Sequence, residues 1–138
     1  MSELIRFGVS LPKDLLEKFD RLIREKKYTN RSEALRDLIR EDLVRKEWQE
    51  NKPIAGAIIL IYDHHHRELL DKVIDIQHDF QDSIISTQHV HLDHYNCLEI
   101  IALRGQSANA RRLTDMLRAL KGIKHAALSM STTGKEIG

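Results

Sequence analysis

Leu4-Ile-Arg-Phe-Gly-Val-Ser-Leu11 alternates apolar Ile5, Phe7, Val9 and Leu11 with Arg6, Gly8 and Ser10. A period of two predicts one strand with an apolar face and a polar face. Pro12 stops it and suits the first turn of a helix. Leu15, Leu16, Phe19, Leu22 and Ile23 then form a helical stripe, which Lys26–Thr29 breaks. Asn30 is a good N-cap, with Glu33 three residues on as in a capping box. Ala34, Leu35, Leu38 and Ile39 continue as a second apolar stripe running toward Trp48. Residues 1–50 therefore predict strand–helix–helix.

A lone strand leaves backbone donors and acceptors unpaired along both edges, and about 50 residues make a marginal core. A two-fold partner remedies both. Two copies pair their strands as an antiparallel ribbon, and four helices pack behind it. A two-stranded ribbon fits the major groove of DNA, with Arg6, Gly8 and Ser10 of each chain facing outward. Arginine binds guanine edges bidentately, and serine takes either hydrogen-bonding role. The start of the second helix, Asn30-Arg31-Ser32, offers free N–H groups and the positive end of a dipole to a phosphate. Taken alone, Arg6 and Ser10 read as a solvated strand face. With the unpaired strand and the helices behind it, DNA binding is the favoured reading. For Asn30 and Ser32, ordinary capping is compatible with phosphate contact.

The whole chain has 138 residues, 41% hydrophobic and 31% charged, with a formal net charge of +1. It can fold, and its charge does not announce a nucleic-acid binder. A single cysteine excludes an internal disulfide framework and points weakly to a reducing compartment. The longest apolar run, Ile58–Tyr62 with Ala57 before it, is far short of the roughly 18 residues of a membrane span. Met1–Ser10 carries Glu3 and Arg6 and lacks a signal peptide's apolar core. These features predict a soluble cytoplasmic protein with no membrane partner. The chain divides near Gln49–Pro53. Residues 1–52 hold 13 Lys+Arg and 11 Asp+Glu, whereas residues 53–138 hold 9 and 10. All eight histidines and the cysteine lie in the second part.

That second part reads strand–helix–strand–strand–helix–strand. Strands are expected at 55–62, 84–92, 98–104 and 126–130, and helices at 68–80 and 108–120, the last ended by Gly122. The order βαββαβ predicts an antiparallel sheet with both helices on one face, the ferredoxin-like arrangement. The first strand is apolar on both sides, which predicts a second oligomer interface across the open face. The expected domains are 1–50 and 53–138, in an α+β chain.

His89 and His91 lie two apart on one strand and share a face. Cys97 follows across a turn. If Leu98, Ile100 and Ala102 face the core, Cys97 and Glu99 point to the opposite face, with the histidines. His78, near the end of the preceding helix, is a fourth donor that a neighbouring subunit could supply. Thiolate plus imidazole suits nickel, copper or zinc, and spacing alone does not choose among them. A single histidine on a sheet is most often structural, but H-x-H-x₅-C with an upstream histidine is more specific. Four protein ligands leave no open position for substrate, which argues against an enzyme. His64–His66 read as a solvated turn that could face DNA or host a weak secondary metal. Glu33 and Asp37 read as a solvated helix face near Arg36 and Arg40.

The segments Ile5–Leu11, Tyr28-Thr-Asn-Arg-Ser-Glu-Ala-Leu-Arg-Asp37 and Gln77-His78 … His89-Val-His91-Leu-Asp-His94-Tyr-Asn-Cys97-Leu-Glu99 resemble the nickel-responsive regulators (NikR type). The resemblance covers nearly the whole chain. It implies a ribbon-helix-helix domain followed by an ACT-like regulatory domain, in a homotetramer that is a dimer of dimers. It implies one planar Ni(II) site per subunit, built from His89, His91 and Cys97 of one chain and His78 of another. It further implies a repressor that, when nickel-loaded, binds a palindromic operator in double-stranded DNA and controls nickel-uptake genes. By the same resemblance Arg6, Gly8 and Ser10 fall on base-reading positions, although relatives commonly carry a hydroxyl residue where Gly8 stands. Glu33 and Asp37 match positions that help hold a second, potassium-like cation. Two other readings are open on the residues: a metal storage or delivery protein, and a ribbon-helix-helix regulator sensing a small molecule through its ACT-like domain.

Overall fold

The computed structural model describes residues 3–138, so the first two residues of Met1–Ser10 lie outside the described residues. It divides into two compact units. One runs to Leu43 and takes in Ile137–Gly138; the other is Val44–Glu136.

The first unit carries α1 (Lys13–Glu25) and the beginning of α2 (Arg31–Gln49), which continues into the second unit. Pro12 sits at the N-cap position, one residue before the helix, and its carbonyl accepts from the Leu16 N–H at 3.1 Å. Lys27 takes a positive φ of 61° between the helices. Asn30 caps as the sequence predicts, accepting from the Glu33 N–H at 2.9 Å. The Glu33 side chain does not complete the box; it accepts from the Thr29 hydroxyl at 2.6 Å. Ile23 and Ala34 are buried between the helices.

Residues 3–12 form no strand in the single chain, although the alternation predicts one. The difference is physical. A strand is defined by its ladder, and no described residue of the same chain pairs with this segment. Its apolar set is left bare, with Ile5 81% and Phe7 71% exposed.

The second unit has the order β1 (Pro53–Tyr62), α3 (Arg67–Asp79), β2 (Ile84–Asp93), β3 (Asn96–Gln106), α4 (Ser107–Arg118) and β4 (Ile123–Met130). The strands lie in the order β2-β3-β1-β4, every neighbouring pair antiparallel. This is the predicted ferredoxin-like α+β arrangement, with β2 and β4 on the edges. Ile54, Ile58, Leu60 and Tyr62 of β1 pack with Ile101 and Leu103 of β3 against Leu69 and Val73 of α3 and Leu113 and Leu117 of α4.

The faces of β3 are the reverse of the expected ones. Cys97, Glu99, Ile101 and Leu103 are buried on the helix side. Leu98, Ile100 and Ala102 are half-buried on the other side, beside Ala57, Ile59 and Ile61 of β1. Both sides of the central strands are apolar, so polarity does not mark which one the helices cover.

Gly56 sits where β1 crosses β4. A Cβ there would lie 2.5 Å from the Ser129 carbonyl oxygen, closer than any van der Waals contact permits. Gly56→Ala is therefore expected to force β1 from β4 and destabilise the fold by about 1–3 kcal/mol. A thermal melt checks this, and an unchanged midpoint would contradict it.

Candidate metal centre and nucleic-acid interface

The β2–β3 ladder fixes the donor set. His91 lies opposite Cys97, and His89 opposite Glu99. Partners across an antiparallel ladder project to the same face, so two imidazoles, the thiol and the carboxylate share the helix side of the sheet at its β2 edge. His89 Nδ1 is 3.8 Å from Cys97 Sγ. His89 Nε2 is 3.0 Å from Glu99 Oε1. Glu99 also accepts from the Tyr62 hydroxyl at 2.6 Å and from the Gln77 side-chain amide.

Burial is the leading cause that pushes the Cys97 thiol above its ordinary range, with the Glu99 charge second; the Val90 N–H works against both. Burial likewise pushes the Tyr62 hydroxyl upward, and its hydrogen bond to Glu99 adds to the effect. Metal-free, Cys97 is thus a protonated thiol at neutral pH, and Tyr62 donates.

His78 stands exposed in the last turn of α3. Among the described residues, no three of His78, His89, His91 and Cys97 form a group of donor atoms within 4.8 Å of one another. One chain therefore places His89, His91 and Cys97 on a common face and brings His89 to Cys97, without gathering the three donor atoms together. The three fit a late first-row divalent ion by their chemistry, since an imidazole nitrogen and a sulfur already approach each other on a rigid hairpin.

In the histidine run, His65 and His66 are exposed in a turn as the sequence predicts, and His64 differs. His64 is half-buried, its ring edge-on to His91 with centroids 4.5 Å apart. Its Nδ1 has no hydrogen-bond partner among the described residues. Burial first, then the neighbouring His65 and His91, holds its pKa below the usual histidine range. Asp63, His64 and His65 form a group of potential donors within 4.8 Å. The available signal was the position of the run at the end of β1, level with Cys97, which pairs with Tyr62.

In the first unit, Arg6, Gly8, Ser10, Asn30 and Ser32 are all exposed. Arg31 is engaged with Asp20 through two contacts of 2.9 Å. Glu33 and Asp37 line an open pocket of about 260 Å³ with Tyr28, Arg36 and Arg40. Asp37 accepts from the Tyr28 hydroxyl at 2.6 Å, and that bond raises the Tyr28 pKa. Two guanidinium groups in the same pocket offset the two carboxylates.

Residues 2–46 match the ribbon-helix-helix protein, copG family, and residues 55–131 match the NikR C terminal nickel binding domain. A relative from Syntrophus aciditrophicus is 58% identical over 98% of this chain and 98% of its own. One from Chlorobium limicola is 59% identical over 97% of this chain and 100% of its own. Both carry the name "Putative nickel-responsive regulator". An uncharacterized protein from Thermotoga maritima shares the fold at a TM-score of 0.52 and 10% identity, over 57% of this chain and 98% of that one. A ribbon-helix-helix half and a nickel-binding half define a DNA-binding, metal-responsive transcription regulator, not an enzyme. Within that class, the chain belongs to the nickel-responsive regulators. Among the described residues no helix is long and apolar enough to cross a membrane.

Proposed function

We propose that the chain is a nickel-dependent repressor of nickel-uptake genes, acting in the cytoplasm as a homotetramer on a palindromic operator. The observation that carries this reading is the approach of His89 Nδ1 to Cys97 Sγ at 3.8 Å in a chain that begins with a DNA-binding half. Nickel, one per subunit, is held by His89, His91 and Cys97, with His78 of the partner subunit as fourth donor. His78's exposure supports this, because its side chain is free to reach another chain. Arg6, Gly8 and Ser10 form the outward face of a ribbon shared by two chains. Asn30 and Ser32, at the start of α2, take phosphates. Glu33 and Asp37 hold a second, potassium-like cation. The domains fall at 1–50 and 53–138.

The regulatory logic follows from what the residues join. His89, His91 and Cys97 tie β2 to β3, and His78 ties the end of α3 to a neighbouring subunit. Loading therefore favours one arrangement of the tetramer, by as much as the site prefers that arrangement. A coupling of roughly 1–3 kcal/mol changes DNA affinity about 5–150-fold. Two ribbons engaging one operator add avidity when the geometry lets both bind.

Cys97→Ala is expected to abolish tight nickel binding and nickel-dependent DNA binding while leaving the circular dichroism spectrum intact. Nickel titration and a gel shift at fixed salt read both, since salt alone moves protein–DNA affinity. Unchanged nickel affinity would remove Cys97 from the site.

The raised thiol pKa gives a pH dependence with a definite sign. Sulfur ligates as thiolate, so uptake releases the proton that the metal-free thiol holds. Apparent nickel affinity should rise with pH, by about tenfold per unit for that one proton below the thiol's pKa. Competition against a chelator of known pH behaviour measures this slope. A flat profile would contradict ligation by a thiol that starts protonated.

A further inference from the structure

We propose that the end of α2 is a coupling joint: Glu47 and Trp48 are gripped by the segment after β4 and by the start of α4, so the metal state reaches the DNA-binding half through α2 and not across a loose link at Gln49–Pro53. The inference rests on the nickel-dependent reading above and deepens it.

The polar run Gln49-Glu-Asn-Lys-Pro53 has the composition of a flexible link. The compact units divide elsewhere, for the second begins at Val44, inside α2. Hydrogen bonds from two parts of that unit hold this stretch. The Trp48 indole N–H donates to the Ser131 carbonyl at 3.0 Å, and the Thr132 hydroxyl donates to the Glu47 carboxylate at 3.2 Å. Thr132 Oγ itself accepts from the Gly134 N–H at 3.1 Å, which leaves its proton for Glu47. From the start of α4, the Ser107 hydroxyl donates to the Trp48 carbonyl at 2.8 Å, and the Ala108 N–H donates to the Asn51 side chain at 2.9 Å. Asn51 takes a left-handed φ of 56°, and the Lys52 N–H returns to the Glu47 carbonyl at 3.1 Å. Together these close the helix as a Schellman cap. Glu47 and Ser107 are buried, and Trp48 packs against the core. A carboxylate is buried at a cost unless hydrogen bonds satisfy it, so the Thr132 hydroxyl fixes where Glu47 can sit.

The strand that carries Cys97 leads into this joint. β3 ends at Gln106, and Ser107, which grips Trp48, is the next residue. A flexible link would let the two halves move independently, limited only by its reach. A pinned helix end moves with the strand and helix that pin it. Coupling between sites needs such an element, one whose arrangement both sites bias. α2 meets that requirement, because its other end, at Asn30 and Ser32, is the one assigned above to phosphates.

The test uses the full-length protein. In the metal-free wild type, hydrogen exchange should show the amides of residues 44–52 protected together with those of β1 and α4. Fast exchange there, as in a loose link, would overturn the proposal, and this measurement needs no variant to fold. The double variant Trp48→Phe/Thr132→Val removes two bonds of the grip and touches neither a metal ligand nor a DNA contact. It should lose protection over 44–52 and keep wild-type nickel affinity. Nickel's effect on DNA affinity, about 5–150-fold for a typical coupling, should fall to about twofold. A nickel effect undiminished in a variant whose 44–52 amides have lost protection would overturn the proposal, and so would protection that survives both substitutions. A wild type whose DNA binding ignores nickel would instead bring down the reading on which the coupling rests, whatever the exchange shows.

Discussion

The register of β2 against β3 carries the functional half of this molecule. His91 faces Cys97 and His89 faces Glu99 because the ladder holds those pairs, and the turn at Asp93–Asn96 pins it. Asp93 accepts from the Tyr95 N–H at 2.9 Å and from the Asn96 amide, so the hairpin is closed by its own side chains. Lys124 reaches from β4 to Asn96 Oδ1 at 2.6 Å and braces the same turn. A slip of one residue would send both histidines to the opposite face and leave the thiol without a partner. A hairpin gathers donors at little entropic cost, since folding has already ordered them.

The other constraint is apolar surface that one chain cannot cover. In the first unit, Ile5, Phe7, Val9 and Leu11 are all exposed, and so are Leu15, Leu22 and Leu38 on the helices. In the second, the helix-free face of the sheet presents Ile59 and half-buried Ile61, Leu98 and Ile100. Apolar area of this kind is stabilised by removal from water at roughly 25 cal/mol per Å². The proposed dimer of ribbons and tetramer of regulatory domains answer these two surfaces separately, one in each unit.

Much of this was legible in the sequence, for identifiable reasons. Helices and strands followed from period and punctuation: Pro12 and Asn30 stand at helix boundaries, and β1, β2, β3 and β4 all contain their predicted cores, but α4 ends at Arg118 with Ala119 as its C-cap, and Gly122 falls in the turn before β4. The pairing of His89 and His91 with Cys97 on one face was readable from spacing alone. Which face it was could not be read. Leu98, Ile100 and Ala102 make as good an apolar set as Ile101 and Leu103, and a thiol and a glutamate look like solvent-side residues until their partners are seen. Glu99 is buried because Tyr62, Gln77 and His89 converge on it from two other strands and a helix. No local pattern encodes that convergence. The partial burial of His64 is hidden for a related reason: its contact with His91 joins the turn after β1 to β2, which are not neighbours in the sheet. The N-terminal alternation, conversely, predicts a strand that one chain cannot form.

The claim on which the account turns is that protomers share a nickel ion through imidazole and sulfur donors. A crystal structure of the nickel-loaded protein tests it most directly. The account predicts an ion bound by His89 Nδ1, His91 and Cys97 Sγ of one subunit and by His78 of the partner subunit. Nickel bound elsewhere, with these four side chains uncoordinated, would contradict it.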